Sequence, residues 1–184
     1  MAERADLTDA IDSDPDRARA VLVDQLRYLL DEAEAVRPLV DRVPAIVQEG
    51  RPTPDELSMK EIYGALAARD EEIRMPRVEQ MTAADEPPAF DPVEDDELVD
   101  GAGWNDRPLP DILDRVQSAR AALVDQLETL PPEAWSCTAR FGEETQTVYE
   151  VVHRIAREDA DRLRDLGYRL HGANLTDRER DLPK

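Results

Sequence analysis

The chain has 184 residues and a net charge of −20, because 43 acidic residues face 23 basic ones. This length is sufficient for one domain with its own hydrophobic core, and 41% hydrophobic residues is too high for an intrinsically disordered chain. The negative charge argues against nucleic acid and anionic membranes as partners. No apolar run reaches the roughly 18 residues of a membrane span. The acidic N-terminus does not resemble a signal peptide, so we expect a cytoplasmic protein.

The basic residues other than Lys60 and Lys184 are all arginine. Abundant acid, scarce lysine and few large aromatic residues predict a protein from a halophilic cytoplasm. The alternative is an acidic cytosolic protein without a salt requirement. Self-repulsion strains such a fold at low ionic strength, and salt relieves the strain by screening. The single cysteine, Cys137, excludes an intramolecular disulfide and a cysteine-rich zinc site.

The first predicted helix begins at a recognisable capping residue. Asp14 is suited to cap the first helix, with Pro15 at its first helical position. The second helix is predicted to run from Pro54 or Ser58 to Val78. In both segments apolar residues recur at three- and four-residue steps, which is typical of one buried helical face.

A long crossover is predicted between the second and third helices. Residues 82–111 are rich in Pro, Asp and Glu, and a loop of this length is usually functional or mobile. The alternative is a solvated acidic connection without a function. We expect Phe90 and Trp104 to anchor this segment, and Gly64 in the second helix to allow close packing.

The second half of the chain contains two more helices. The third is predicted to start at Pro110 or Asp111 and to stop at Pro131. An irregular link follows, with a short hairpin around Gly142. The fourth helix is predicted to run from about Thr147 to Leu170.

Four amphipathic helices with two short connections and one long one predict an all-α fold. We expect a four-helix bundle with a long crossover between helices 2 and 3. Residues 1–170 would form this single domain, followed by a polar tail over residues 171–184. His171, just past the predicted end of the fourth helix, is expected to meet the last carbonyl groups.

Charge interrupts the apolar stripe of the fourth helix. The stripe includes Ile155 and resumes at Leu163, and its path between them passes through Glu158, Asp159 and Arg162. Charged groups on a core-facing stripe are costly unless they are paired or functional. We therefore expect the functional site at this point of the fourth helix.

Two segments of the chain resemble the DinB-like (damage-inducible) family of four-helix bundles. Residues 57–66 (LSMKEIYGAL) resemble the W-S-V-K-E-V-L-G-H-L opening of the family's second helix. Residues 147–166 resemble its fourth helix, written S-V-x-E-L-L-x-H-I-A-E-H-D-x-x-H. The helix order and the long second connection agree as well. The resemblance implies a DinB/YfiT-like fold, similar in architecture to the mycothiol-dependent maleylpyruvate isomerases and the bacillithiol-transferase-like proteins.

That family binds a divalent metal through three histidines, one on the second helix and two spaced four residues apart on the fourth. The spacing lets both imidazoles project from one helical face toward one ion. Transferred residue by residue, these positions fall on Ala65, Glu158 and Arg162. Alanine has no donor atom and arginine stays protonated. The resemblance therefore implies that the metal site is lost, and we expect no metal or other cofactor.

Glu158 and Arg162 have the spacing and order of a helical ion pair, with the acid four residues before the base. We expect the two side chains to neutralise each other. If the register differs by one residue, Asp159 and Asp161 become the inward groups instead. His153 lies beside this face and is expected to be a surface or half-buried residue.

A metal site made only of carboxylates is an alternative, because oxygen ligands suit Mg, Mn or Ca. With 43 acids in the chain, some acidic cluster is also expected by chance. The candidate ligands are Glu61, Asp70, Glu71 and Glu72 on the second helix, with Glu158, Asp159 and Asp161 on the fourth.

The leading functional hypothesis is a DinB-like protein that has lost its metal site and acts as a small-molecule-binding or interaction protein. The resemblance implies a pocket near Ala65, Glu158 and Arg162, where Arg162 would bind a small anionic ligand if Glu158 does not fully neutralise it. The competing hypothesis is an enzyme, either a metal-dependent hydrolase or a thiol S-transferase with non-standard ligands. A third alternative is a bundle that serves mainly to form a homodimer.

Overall fold

Four long helical segments pack into a bundle, as the apolar stripes predict. The computed structural model describes the backbone of residues 2–40 and 42–180, and the side chains of residues 7, 9–39 and 42–171. In chain order the elements are α1 (Ala2–Ser13), α2 (Pro15–Val40), α3 (Ala45–Glu49), α4 (Met59–Ala68), a π-helical turn (Arg69–Arg74), α5 (Met75–Ala83), β1 (Ala89–Phe90), α6 (Asp95–Val99), a 3-10 turn (Trp104–Asp106), α7 (Leu109–Thr129), a second 3-10 turn (Pro132–Ser136), β2 (Thr138–Phe141), β3 (Glu144–Thr147) and α8 (Val148–Arg180).

The bundle consists of α2, the continuous α4–π–α5 segment, α7 and α8. Helix α2 packs against α7 and α8, and α4 packs against the same two helices. Helices α2 and α4 therefore face each other across the bundle although they are consecutive long helices. The predicted all-α bundle with a long crossover between its second and third helices is confirmed. Within the described residues, no helix is both long and apolar enough to cross a membrane.

Asp14, the predicted cap, and Ser58, one of the two predicted starts of the second helix, cap the first two bundle helices. Asp14 Oδ1 accepts a hydrogen bond of 3.0 Å from the backbone N–H of Arg17, and Pro15 is the first residue of α2. Ser58, and not Pro54, caps α4: its Oγ accepts from the Glu61 N–H at 3.1 Å, and Glu61 Oε2 accepts from the Ser58 N–H at 2.8 Å. This reciprocal capping box satisfies two backbone donors that the first helical turn leaves unpaired.

Trp104 anchors the crossover against α4. Its side chain is buried, and its indole N–H donates to the Leu98 carbonyl at 3.3 Å. A Cβ atom built on Gly64 would lie 2.2 Å from Cδ2 of Trp104. Glycine is therefore required at position 64 for this close approach, as the sequence predicts.

A small sheet closes the other end of the crossover. Strands β2 and β3 form an antiparallel hairpin, and Gly142 in its turn has a positive φ of 62°. The hairpin around Gly142 is thus confirmed. Strand β1 adds to β2 in parallel, with Phe90 opposite Phe141. The sequence did not predict β1, because a two-residue strand carries no alternation signal.

Two helical regions exceed the sequence prediction. Helix α1 precedes the capped start of α2, and α8 continues to Arg180 rather than ending near Leu170. His171 therefore lies within a helix, and its predicted interaction with the last carbonyl groups is wrong. No proline lies between Leu170 and Pro183, so no proline stops the helix at the predicted end. Residues 181–184 of the predicted tail lie outside the described residues.

Candidate functional site

The charged interruption in α8 presents three different environments. Asp159 is 4% exposed and points into the core between Ile155 and Leu163. Glu158 and Arg162 are half-buried on the adjacent face, and Asp161 is exposed. A helical period of 3.6 residues explains this division, because it places residues four apart on one face. The core-facing charge is therefore Asp159.

Asp159 belongs to a buried ring of alternating charges. Nη1 of Arg74 lies 2.7 Å from Asp70 Oδ1, and Nε of Arg120 lies 2.7 Å from Asp70 Oδ2. Nη2 of Arg74 lies 3.0 Å from Asp159 Oδ1, and Nη1 of Arg120 lies 2.7 Å from Asp159 Oδ2. We call these four residues the buried ionic layer.

The buried ionic layer connects all four bundle helices. Asp70 and Arg74 lie in the π-helical turn, Arg120 on α7 and Asp159 on α8. Arg120 Nη1 also donates to the Leu26 carbonyl of α2 at 3.3 Å. The layer separates the apolar core into two clusters. One contains the buried apolar residues of 29–36, 59–68, 109–119 and 163–170, and the other those of 18–26, 78–81, 123–127 and 148–155.

The charges of the layer stabilise one another in their ionised forms. Burial alone would raise the pKa of Asp159, but the guanidinium groups of Arg74 and Arg120 lower it below the ordinary value. Burial lowers the pKa of Arg74, and the carboxylates of Asp159 and Asp70 raise it above the ordinary value. Two guanidinium groups and two carboxylates leave this layer without net charge. Such balance is what a low-dielectric interior requires.

Sequence reasoning identified Asp159 and Asp70 but not their partners Arg74 and Arg120. A usable signal exists for Arg120, since it interrupts the apolar stripe of α7 between Val116 and Leu123. Arg74 gives no comparable signal, because the π-helical turn shifts the phase of the helix that contains it. Turns of this kind insert an extra residue and are frequent at functional sites.

Glu158 and Arg162 lie on a second charged surface, which the crossover covers. We call it the crossover face and define it by Arg69, Arg77, Asp95, Arg154, Glu158 and Arg162. Asp95 of α6 joins two of its arginines: Oδ2 accepts from Arg162 Nη2 at 2.8 Å, and Oδ1 accepts from Arg69 Nε at 3.0 Å. Burial would raise the pKa of Asp95, but Arg162 and Arg69 lower it below its usual value.

The predicted ion pair between Glu158 and Arg162 is present, but each residue has a closer partner. Their closest ion-pair atoms are 3.9 Å apart. Glu158 lies closer to Arg154, at 3.3 Å, and to Arg74, at 3.4 Å. Asp95 takes Arg162 because the crossover brings a carboxylate into hydrogen-bonding distance. That contact joins residues far apart in sequence, so helical spacing does not reveal it.

The remaining candidates occupy separate places. Ala65 is 1% exposed and packs in the same apolar cluster as Leu163. Asp161 forms an exposed ion pair with Arg164. His153 is half-buried, as predicted, and lines a groove of about 470 Å³ between α2 and α8.

The residues at the positions that the resemblance assigns to metal ligands do not fit a divalent metal. Ala65 has no donor atom, Arg162 carries its own positive charge, and Glu158 is surrounded by guanidinium groups. Among the carboxylate alternatives, Glu61 pairs with Arg51 and Glu71 with Arg115. In the described part of the chain, no three His, Cys, Asp or Glu side chains are grouped as a metal site would need.

The helix order and the long second connection agree with a DinB-like four-helix bundle. Among solved structures, the chain is similar to YfiT from Bacillus subtilis, described as a probable metal-dependent hydrolase with an unusual four-helix bundle topology. The similarity covers 86% of each chain with a TM-score of 0.68 at 10% sequence identity. At this identity the similarity establishes the fold alone. No family model matches the sequence, and no curated protein matches it.

Proposed function

We propose that this protein is a DinB-like bundle that works without the family's three-histidine metal site, as a small-molecule-binding protein. One observation carries the proposal. The position that resemblance assigns to the third metal ligand holds the guanidinium of Arg162, which is hydrogen-bonded to Asp95. The side chain of Arg162 therefore carries a positive charge at a position where a side chain that binds a metal ion would be expected.

The surroundings of Glu158 support the same proposal. Guanidinium atoms of Arg154, Arg74 and Arg162 lie 3.3, 3.4 and 3.9 Å from its carboxylate oxygens. A divalent ion at this position would meet three like charges and would compete for a carboxylate that is already paired. Like charges at such distances raise the free energy of the bound ion.

The competing function is a metal-dependent hydrolase or thiol S-transferase with non-standard ligands. The description of YfiT as a probable metal-dependent hydrolase favours it, because the two proteins share a fold. Fold alone does not determine function, however, since function depends on the residues of the site.

Melting temperatures with added Zn²⁺, Ni²⁺ and Mn²⁺ test the proposal. A ligand that binds only the folded state stabilises it by about 2.7 kcal/mol at one hundred times its dissociation constant. We expect no saturable shift with any of the three metals. A saturable shift that Glu158→Gln abolishes and Asp161→Asn preserves would support the enzyme instead, because only Glu158 lies at a ligand position.

A further inference from the structure

The crossover face carries more positive than negative charge. Its four guanidinium groups belong to Arg69, Arg77, Arg154 and Arg162, and its two carboxylates to Asp95 and Glu158. Arg69 and Arg162 share Asp95, while Arg154 uses Glu158. The exposed carboxylate of Asp91 also acts on Arg77, so one positive charge is left over, in a chain whose net charge is −20. Such a local excess of positive charge is not expected by chance in a chain with so many acidic residues.

Arg77 is the arginine of this face without a paired carboxylate. Among the described residues, its hydrogen bond goes to the main-chain carbonyl of Asp91. Burial and the neighbouring guanidinium groups of Arg154 and Arg69 lower the pKa of Arg77, and the exposed carboxylate of Asp91 only partly opposes them. Groups whose pKa is shifted by burial and by neighbouring like charges are concentrated at functional sites.

Two aromatic rings hold the guanidinium groups in place. Cζ of Arg77 lies 5.1 Å from the centre of the Phe90 ring and 5.8 Å from that of Phe141. Cζ of Arg154 lies 4.9 Å from the Phe141 ring. Stacking on an aromatic ring fixes a guanidinium plane at low entropic cost. The arginines are therefore oriented before any ligand arrives.

We propose that the crossover face binds a small oxyanion at Arg77, with Arg154 and Arg69 supplying the surrounding positive charge. A planar guanidinium binds phosphate or carboxylate oxygens through two parallel hydrogen bonds. This inference rests on the proposed small-molecule-binding function, and it names the chemical class of the ligand. It also moves the anion site from Arg162, which Asp95 neutralises, to Arg77.

Calorimetric titration of the full chain with inorganic phosphate tests this site. The KCl concentration is held constant at a value where circular dichroism shows the protein folded, and chloride at matched ionic strength is the blank. We expect saturable binding of one phosphate per chain. Arg77→Gln should weaken that binding at least tenfold, whereas Arg77→Lys should weaken it less, because it keeps the charge but not the planar geometry.

Arg140→Gln is the matched control, because Arg140 is exposed on β2 beside Phe141 and carries the same charge. Successive strand residues point to opposite sides of a sheet, so this variant should bind phosphate within twofold of the wild type. Absence of saturable binding to the folded wild type would overturn the inference. Equal weakening of phosphate binding in Arg77→Gln and Arg140→Gln would also overturn it, as would unchanged phosphate binding in Arg77→Gln.

The phosphate titration and the metal titration test the two proposals separately. Lack of phosphate binding together with no metal-induced shift rejects the anion site and leaves the metal-free function standing. Phosphate binding lost in Arg77→Gln, together with a metal shift that depends on Glu158, retains the anion site and rejects the metal-free function.

Discussion

The buried ionic layer and the crossover face use the same residue types on adjacent sides of α8, but with opposite consequences. In the layer, side chains between 0% and 6% exposed pair two arginines with two aspartates. On the crossover face, Asp95 and Glu158 are 27% and 32% exposed, and arginine is in excess. Complete burial demands neutrality, whereas partial exposure tolerates a surplus that an anion can neutralise. In this bundle, the crossover face, where basic groups outnumber acidic ones, is therefore a better candidate for a binding site than the neutral buried ionic layer.

The largest expected effect comes from breaking the balance of the layer. Asp159→Ala leaves Arg74 and Arg120 to share Asp70, with the half-buried Glu158 as the other carboxylate near Arg74, and removing one partner of a buried ion pair costs about 3–5 kcal/mol. Denaturant unfolding measures this loss. The matched control is Asp161→Ala, whose exposed pair with Arg164 should contribute no more than about 0.5 kcal/mol. Similar losses in both variants would show that the layer is not the electrostatic centre of the bundle.

The layer also predicts a pH dependence. The pKa of Asp159 is lower in the folded state than in the unfolded chain, where the pKa of an aspartate is about 3.9. Its contribution to stability is therefore complete above that value and is lost as the pH falls through the lower, folded-state pKa. The difference in unfolding free energy between the wild type and Asp159→Ala should shrink below about pH 4. A constant difference from pH 7 down to pH 3 would contradict this account.

A smaller effect tests whether the crossover is fixed over its face. Gly64→Ala forces a Cβ against the Trp104 ring. Overpacking of this kind costs about 1–3 kcal/mol, of which improved helix propensity offsets about 1 kcal/mol. Gly167→Ala is the control, since nothing lies within 4 Å of its added Cβ, and it should stabilise the protein by up to about 1 kcal/mol. If both substitutions stabilise, Trp104 does not hold the crossover in place.

The smallest stability effect belongs to the crossover face itself. Asp95→Asn removes the carboxylate shared by Arg69 and Arg162, and partial exposure limits the stability cost to about 1 kcal/mol. It also raises the surplus positive charge, so phosphate should bind more tightly in calorimetry. Asp96→Asn, a change to the exposed neighbour on α6, controls for net charge and should alter the affinity less. Weaker phosphate binding in Asp95→Asn would show that the excess positive charge of the crossover face is not the source of the affinity for phosphate.

The sequence predicted features that depend on local chemistry. Asp14 was recognisable as a cap because a cap acts within one helical turn, and the turn at Gly142 was recognisable because a tight turn favours glycine. The interruption of the α8 stripe was visible for the same reason, since helical period is a local property.

Features that depend on distant contacts were not predictable in this way. Asp159 finds Arg74 and Arg120 across the bundle, and Arg162 finds Asp95 through the crossover. Ion pairs between residues so far apart in sequence leave no spacing pattern. The choice among Glu158, Asp159 and Arg162 as the inward charge therefore needed the packing of all four helices.

The central proposal is that the protein works without a bound metal, because the guanidinium of Arg162 stands at a position that the resemblance to DinB-like proteins assigns to a metal ligand. Elemental analysis of the full chain, purified without chelators, tests it most directly. The account predicts far less than one zinc, nickel, manganese or iron atom per chain. One equivalent of any of these metals, lost on Glu158→Gln and retained on Asp161→Asn, would contradict it.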